Sequence, residues 1–226
     1  MRRLALLPLL VLLAACGDGS DAPASEAPAD AGVVADAMLE RYRSNQEPFS
    51  AFVVRGGGAV ARYTRNEADT TGLNPWILQV EPVAAAGAKL DPESVQLLYN
   101  HVPNVPRLAN ALRGAEVTAG AERNGRPVYV LFTDDPSALL GDTGQPGDHH
   151  LRVSVDAETY DVLEIYQSVA ADSTMDPVTT RIVYEDFEET DGLTLPRTVR
   201  QITTGVNQHL SEEAKVALQG NDHLQT

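Results

Sequence analysis

From Glu116 to Thr203 the chain is a series of short segments in which apolar and polar residues alternate, each closed by a turn signal, and this series most restricts the fold. Glu116 to Glu122 runs into Arg123-Asn124-Gly125-Arg126, and Asn-Gly between two strand-like runs is a strong hairpin signal, so Pro127 to Thr133 is the returning strand. His149 to Asp156 puts Leu151, Val153 and Val155 on one face and Arg152 and Ser154 on the other. Tyr160 to Val169 and Val178 to Phe187 continue the meander, Asp191-Gly192 turns it, and Leu195 to Thr203 returns. Long antiparallel strands with short connections predict a mainly β (α+β) fold, a single strongly curved antiparallel sheet forming a half-open barrel.

The residues before this series supply a cover for the sheet. Val34, Met38 and Tyr42, with Leu39 beside them, form one apolar helical stripe that ends near Ser44-Asn45. Phe49 to Arg55, Gly56-Gly57-Gly58 and Ala59 to Thr64 read as a hairpin, because no lysine follows the glycines in phosphate-loop spacing. Trp76, Leu78 and Val80 alternate with Ile77 and Gln79 in a further strand. Asp91-Pro92-Glu93 is a capped helix start, carried through Val95, Leu98 and Tyr99 until the prolines of His101 to Pro106, with a short helix at Leu108 to Leu112. Asp134-Asp135-Pro136 to Leu140 reads as a capped helical turn, Gly141 to Asp148 as a loop, and Ser211 to Leu218 as a short terminal helix. The expected architecture is eight or nine strands under an N-terminal helix and a mid-chain helical insertion.

The first residues carry an address. Arg2 and Arg3 precede an apolar run from Leu4 to Leu13 and the small residues Ala14-Ala15, the pattern of an export signal. The run is shorter than the roughly 20 apolar residues of a membrane-spanning helix. Leu13-Ala14-Ala15-Cys16 resembles the bacterial lipobox, which implies cleavage before Cys16 and covalent lipid on it; the plainer alternative is a secretory signal cut near Ala15. Cys16 is the sole cysteine, so no internal disulfide forms. Several acyl chains, at about 0.8 kcal/mol per buried CH₂, would hold the protein on a membrane permanently. Gly17 stands where lipoproteins retained in the inner membrane commonly carry aspartate, so the expected location is the outer membrane, facing the periplasm. Residues 1–15 are then a signal peptide, 16–32 a lipidated cysteine and tether without large apolar residues, and 33–226 one domain.

Charge removes one class of partner. The formal net charge of −15 becomes −17 once Arg2 and Arg3 are cleaved away, and such a chain repels nucleic acid. No catalytic constellation stands out either. Ser50, Ser94 and Ser154 sit in no nucleophile elbow, and the adjacent His149 and His150 point to opposite faces of a strand, a poor geometry for one metal. His101 and His209 are isolated, and Glu188-Glu189 needs nothing beyond solvent. The expectation is no enzyme, no metal and no cofactor apart from the lipid on Cys16.

Leu151-Arg-Val-Ser-Val-Asp156, Val162-Leu-Glu-Ile-Tyr166, Tyr184-Glu-Asp-Phe187 and Asp191-Gly-Leu-Thr-Leu-Pro196, together with Ala37 to Tyr42 and Phe49 to Val54, resemble the LolA/LolB-like superfamily of lipoprotein carriers, which includes the regulator RseB. That resemblance implies a half-open barrel whose concave face, overlaid by helices, receives acyl chains. Arg62 and the Leu73-Asn74-Pro75-Trp76 loop are candidates for the basic residue and protruding loop such carriers place at the mouth. The candidate ligand-binding residues are Trp76, Leu78, Val80, Val128, Val130, Phe132, Leu151, Val153, Val155, Leu163 and Ile165, expected on one side of the sheet, with core packing as the competing reading. The expected partners are the membrane, through the anchor, and a hydrophobic ligand or lipoprotein. The alternative is an envelope sensor or interaction module that meets another envelope protein.

Overall fold

The computed structural model describes residues 30–56, 59–82, 97–123, 125–136, 149–169 and 178–205. The expected signal peptide, Cys16, the expected tether up to residue 29, the expected helix start at Asp91, most of the expected 134–140 turn, the 141–148 loop and the expected 211–218 helix lie outside the described residues. Within them the protein is mainly β, with antiparallel sheets and few helices.

Helix α1 (Ala31–Asn45) starts where the Asp30 carboxylate accepts a hydrogen bond from the Gly32 amide at 2.8 Å, a side-chain cap that satisfies an otherwise orphan donor. Its stripe of Val34, Met38 and Tyr42 is buried, as the 3.6-residue period predicts. Strands β1 (Ala51–Gly56), β2 (Ala59–Arg65) and β3 (Trp76–Pro82) form one three-stranded sheet in chain order. Helix α2 (Val105–Leu112) is capped by Asn104, whose side chain accepts from the Arg107 amide at 3.2 Å. Pro106 therefore begins this helix and does not end one, since the first-turn amides have no partner within the helix to lose.

Strands β4 (Glu116–Arg123), β5 (Arg126–Thr133), β6 (His149–Asp156), β7 (Val162–Val169), β8 (Val178–Thr190) and β9 (Leu193–Thr204) form a six-stranded antiparallel meander, also in chain order. The hairpin at Asp191-Gly192 has both residues at positive φ, 53° and 84°, as a two-residue turn with matching twist requires. The single sheet expected from the sequence is thus corrected to two: among the described residues β3 pairs with β2 alone and β4 with β5 alone. No sheet among the described residues closes on itself.

Two cores follow from two sheets. Val34, Met38 and Tyr42 of α1 and Leu108 and Leu112 of α2 pack on Tyr129, Leu131, Leu151, Val153, Val155, Ile165, Ile182, Tyr184 and Val199 of the larger sheet. Val54, Ala59, Ala61 and Tyr63 of the smaller sheet enclose Leu98 and Val102, with Phe52, Trp76, Leu78 and Val80 packed around them. The segment 97–102 therefore joins the two. The Tyr63 hydroxyl donates to the Leu98 carbonyl at 2.7 Å, the Tyr184 hydroxyl to the Asn100 carbonyl at 3.0 Å, and the Asn100 side-chain amide to Gln201 at 2.6 Å. Arg65 ties β2 to the end of α1, donating to the Glu47 and Phe49 carbonyls at 2.7 and 2.9 Å while its guanidinium lies 4.3 Å from the Trp76 ring centre.

Candidate functional site

The eleven residues expected on one side of one sheet fall on three surfaces. Trp76, Leu78 and Val80 share a face of the smaller sheet with Arg65, Tyr63 and Ala61, their respective cross-strand partners, and pack against its core. Leu151, Val153, Val155 and Ile165 lie under α1 and α2, the first three wholly buried, so the helices fill that face and leave ordinary core packing. Val128, Val130 and Phe132 are opposite Asp156, Ser154 and Arg152, on the other face of the larger sheet, which is a correction to the sequence reading. The reason lies in β5: Val128 to Phe132 is apolar at every position, so alternation cannot say which face is which. Tyr129 and Leu131 take the helix-covered face. Leu163 is the extra residue of a register shift between β6 and β7, where Ser154 pairs with Glu164 but Val155 pairs with Val162. Arg62, between Val53 and Gln79 in register, lies exposed on the outer face of the smaller sheet.

The cleft that can hold an apolar molecule is elsewhere. It runs between the edge strand β1 and the β8–β9 hairpin, with a volume of about 610 Å³. Phe49, Phe52, Val54, Leu193, Leu195 and Pro196 give it an apolar floor, and Arg55, Glu188, Asp191 and Arg197 stand around it. The Glu188–Arg197 ion pair at 2.9 Å sits on the exposed rim. The volume is in the range of small-molecule pockets, and the lining is about equally polar and apolar.

The edge of β9 beside this cleft is blunted. The Asn45 side chain takes both main-chain groups of Thr194, donating to its carbonyl and accepting from its amide, each at 2.7 Å. Pro196 has no amide hydrogen, and its carbonyl accepts from the His101 ring. An incoming strand would therefore find no free ladder at 194–196. His101 is 4% exposed, and burial holds its imidazole below the usual histidine range, opposed by the hydrogen bond to Pro196.

The larger sheet's other face carries a second groove, of about 550 Å³, lined by Arg123, Arg126, Arg181 and Arg200 together with Leu163 and Val183. Beneath the arginines lies Glu164, whose side chain is 1% exposed. Its Oε2 accepts from Arg123 Nη1 at 2.5 Å and from Arg181 Nε at 2.7 Å, and Arg152 Nη2 stands 3.6 Å from Oε1. Burial pushes the Glu164 carboxyl up, but the hydrogen bonds and charges of Arg123 and Arg181 outweigh it and hold the group below its usual value. Asp156, equally buried, pairs with Arg126 Nε at 3.0 Å. Its other oxygen accepts from the Glu158 and Thr159 amides, both at 2.8 Å. This cluster was not among the sequence candidates; its signal was an acid at the centre of Val162-Leu-Glu-Ile165, a run otherwise buried.

Among the described residues no group of three or more histidine, cysteine, aspartate or glutamate side chains is placed to hold a metal ion. No known protein family, curated relative or solved structure matches the chain.

Proposed function

We propose that this protein is a lipid-anchored, non-enzymatic lipoprotein of the outer membrane, facing the periplasm, that holds a hydrophobic ligand in the cleft between β1 and the β8–β9 hairpin. The ligand class is an acyl chain, either of a free lipid or of another lipoprotein. The observation that carries this reading is the cleft's apolar floor of Phe52, Val54, Leu193, Leu195 and Pro196 beside a strand edge whose polar groups are already used. Covering that floor with a hydrocarbon chain removes apolar surface from water at roughly 25 cal/mol per Å². Under this reading the two sheets are the walls of a LolA/LolB-like half-open barrel, with the cleft as its mouth.

The alternative is an envelope sensor or interaction module that presents a sheet edge or its acidic face to another envelope protein, and strand addition at 194–196 is disfavoured by the same edge. Strand addition draws its affinity from main-chain hydrogen bonds, and Asn45, Pro196 and His101 remove those at 194–196. An anchored protein also cannot diffuse between membranes, which suits receiving or holding a ligand better than shuttling one. Native mass spectrometry of the purified protein after incubation with a bacterial lipid extract tests the reading. Retained lipid, lost in Leu195→Arg, is the expected result; no retained mass, or retention indifferent to that substitution, sinks it. Replacement of Cys16 by serine is expected to release the protein from the membrane fraction, and unchanged fractionation would refute the anchor.

A further inference from the structure

We propose that the face of the six-stranded sheet opposite α1 and α2 is a binding site for a phosphate-bearing anion, held by the guanidinium groups of Arg123, Arg126, Arg181 and Arg200. It is separate from the acyl-chain cleft and does not depend on it.

The face is layered by charge. In register across β5 to β9, Val130, Ser154, Glu164, Val183 and Arg200 form one row, and Phe132, Arg152, Tyr166, Arg181 and Ile202 the next. The carboxylates of Glu164 and Asp156 lie at the bottom, 1% exposed, while the side chains of Arg123, Arg126 and Arg181 above them keep 32%, 42% and 45% of their surface in solvent. Val128, Leu163 and Val183 on this face are buried, as arginine stems lying along apolar surface would make them. Glu185, paired with Arg200 at 2.5 Å, is the third carboxylate of the layer. Counting Arg152, five guanidiniums stand around the groove with five carboxylates, three of them in this layer. Glu122 and Asp186 also line the groove, the latter accepting from the Thr198 hydroxyl at 2.8 Å.

In a chain of net charge −15, this concentration of arginine around one groove is against the general composition. Its chemistry is specific. Each guanidinium has five N–H donors, and Glu164 engages one from Arg123 and the Nε and Nη2 edge of Arg181, which fixes the planes of both forks and leaves further donors for a ligand. Arg200 adds a buried Nε–H without an acceptor, in the wall of the same groove. A buried donor left unpaired is unfavourable, and Glu164 Oε1 and Asp156 Oδ2 are likewise buried without a hydrogen-bond partner, so the polar layer is only partly satisfied from within. Phosphate suits such a site: it is compact, multiply charged and rich in acceptor oxygens, and arginine forks recognise it bidentately.

Isothermal titration of the full-length chain with inorganic phosphate, with glycerol 3-phosphate and with dihexanoylphosphatidylglycerol tests the site and its source. Saturable binding is expected, weakened about tenfold or more by Arg123→Gln, as loss of one charge-assisted contact implies. Arg126→Gln, which removes only a partner of Asp156, is the second variant if Arg123→Gln fails to fold, and is expected to weaken binding likewise. Arg43→Gln, on the exposed face of α1, is expected to leave it unchanged. Equal affinity for the three anions identifies free phosphate as the ligand, and a preference for the esters identifies a lipid headgroup. Absence of binding by all three, or binding indifferent to whichever groove variant is folded, overturns the proposal.

Discussion

Tyr63 and Tyr184, one from each sheet, donate their hydroxyls to the carbonyls of Leu98 and Asn100, so the two sheets meet through one turn of the chain. Burial pushes both phenols far above the usual tyrosine range, and both remain neutral donors at any physiological pH. Each bond also satisfies a carbonyl at the end of the helical turn 97–100, where the last carbonyls lack a partner four residues on.

Tyr63→Phe and Tyr184→Phe are each expected to cost about 1–2 kcal/mol, the loss of a hydrogen bond, with the Leu98 carbonyl keeping the His101 amide at 3.4 Å. Because both bonds hold one segment, the double variant is expected to deviate from the sum by about 0.5 kcal/mol or more. Chemical denaturation of the three variants measures this; strict additivity would show that the segment does not couple the sheets.

Removing Glu164 would leave Arg123, Arg152 and Arg181 facing one another around an empty site. Glu164→Ala is expected to destabilise the protein by about 3 kcal/mol, in the range found when one partner of a buried ion pair is deleted. The folded carboxyl titrates below its unfolded counterpart, so the unfolded chain takes up the proton first. Its stabilisation is therefore present above about pH 4.5 and is lost as pH falls through the lower folded value. Glu164→Gln is expected to flatten that part of the stability profile, and an unchanged acid limb would contradict the arrangement.

His101 acts in a different window. Its folded imidazole titrates below 6.5, so as pH falls from that value the unfolded chain binds a proton that the folded one refuses, and stability declines. His101→Gln is expected to remove this slope below pH 6.5 while the lower, carboxylate limb persists. Melting temperatures measured across this range separate the two.

Gly120 faces Val128 in register, and a Cβ there would stand 2.6 Å from Val128 Cγ2 and 2.7 Å from Val130 Cγ2. Neither short side chain can swing far from β5. Gly120→Ala is expected to cost about 1–3 kcal/mol, the usual range for overpacking. An unchanged denaturation midpoint would mean that β4 yields at that point.

Several features were legible in the amino-acid sequence because they are local. The stripe of Val34, Met38 and Tyr42, the turn at Asp191-Gly192 and the alternation of Leu151, Val153 and Val155 each depend on a period or a backbone angle encoded in neighbouring residues. Other features are relations between distant residues. Which face of the uniformly apolar β5 meets the helices was settled by pairing of Tyr129 with Val155 and Leu131 with Val153. The division into two sheets follows from the chain between β3 and β4, whose segment 97–102 both sheets grip. The cleft and the arginine face are juxtapositions of the same kind. Residues 45 and 194, or 123, 164 and 181, meet only when strands take their register, and no local pattern records a partner so far along the chain.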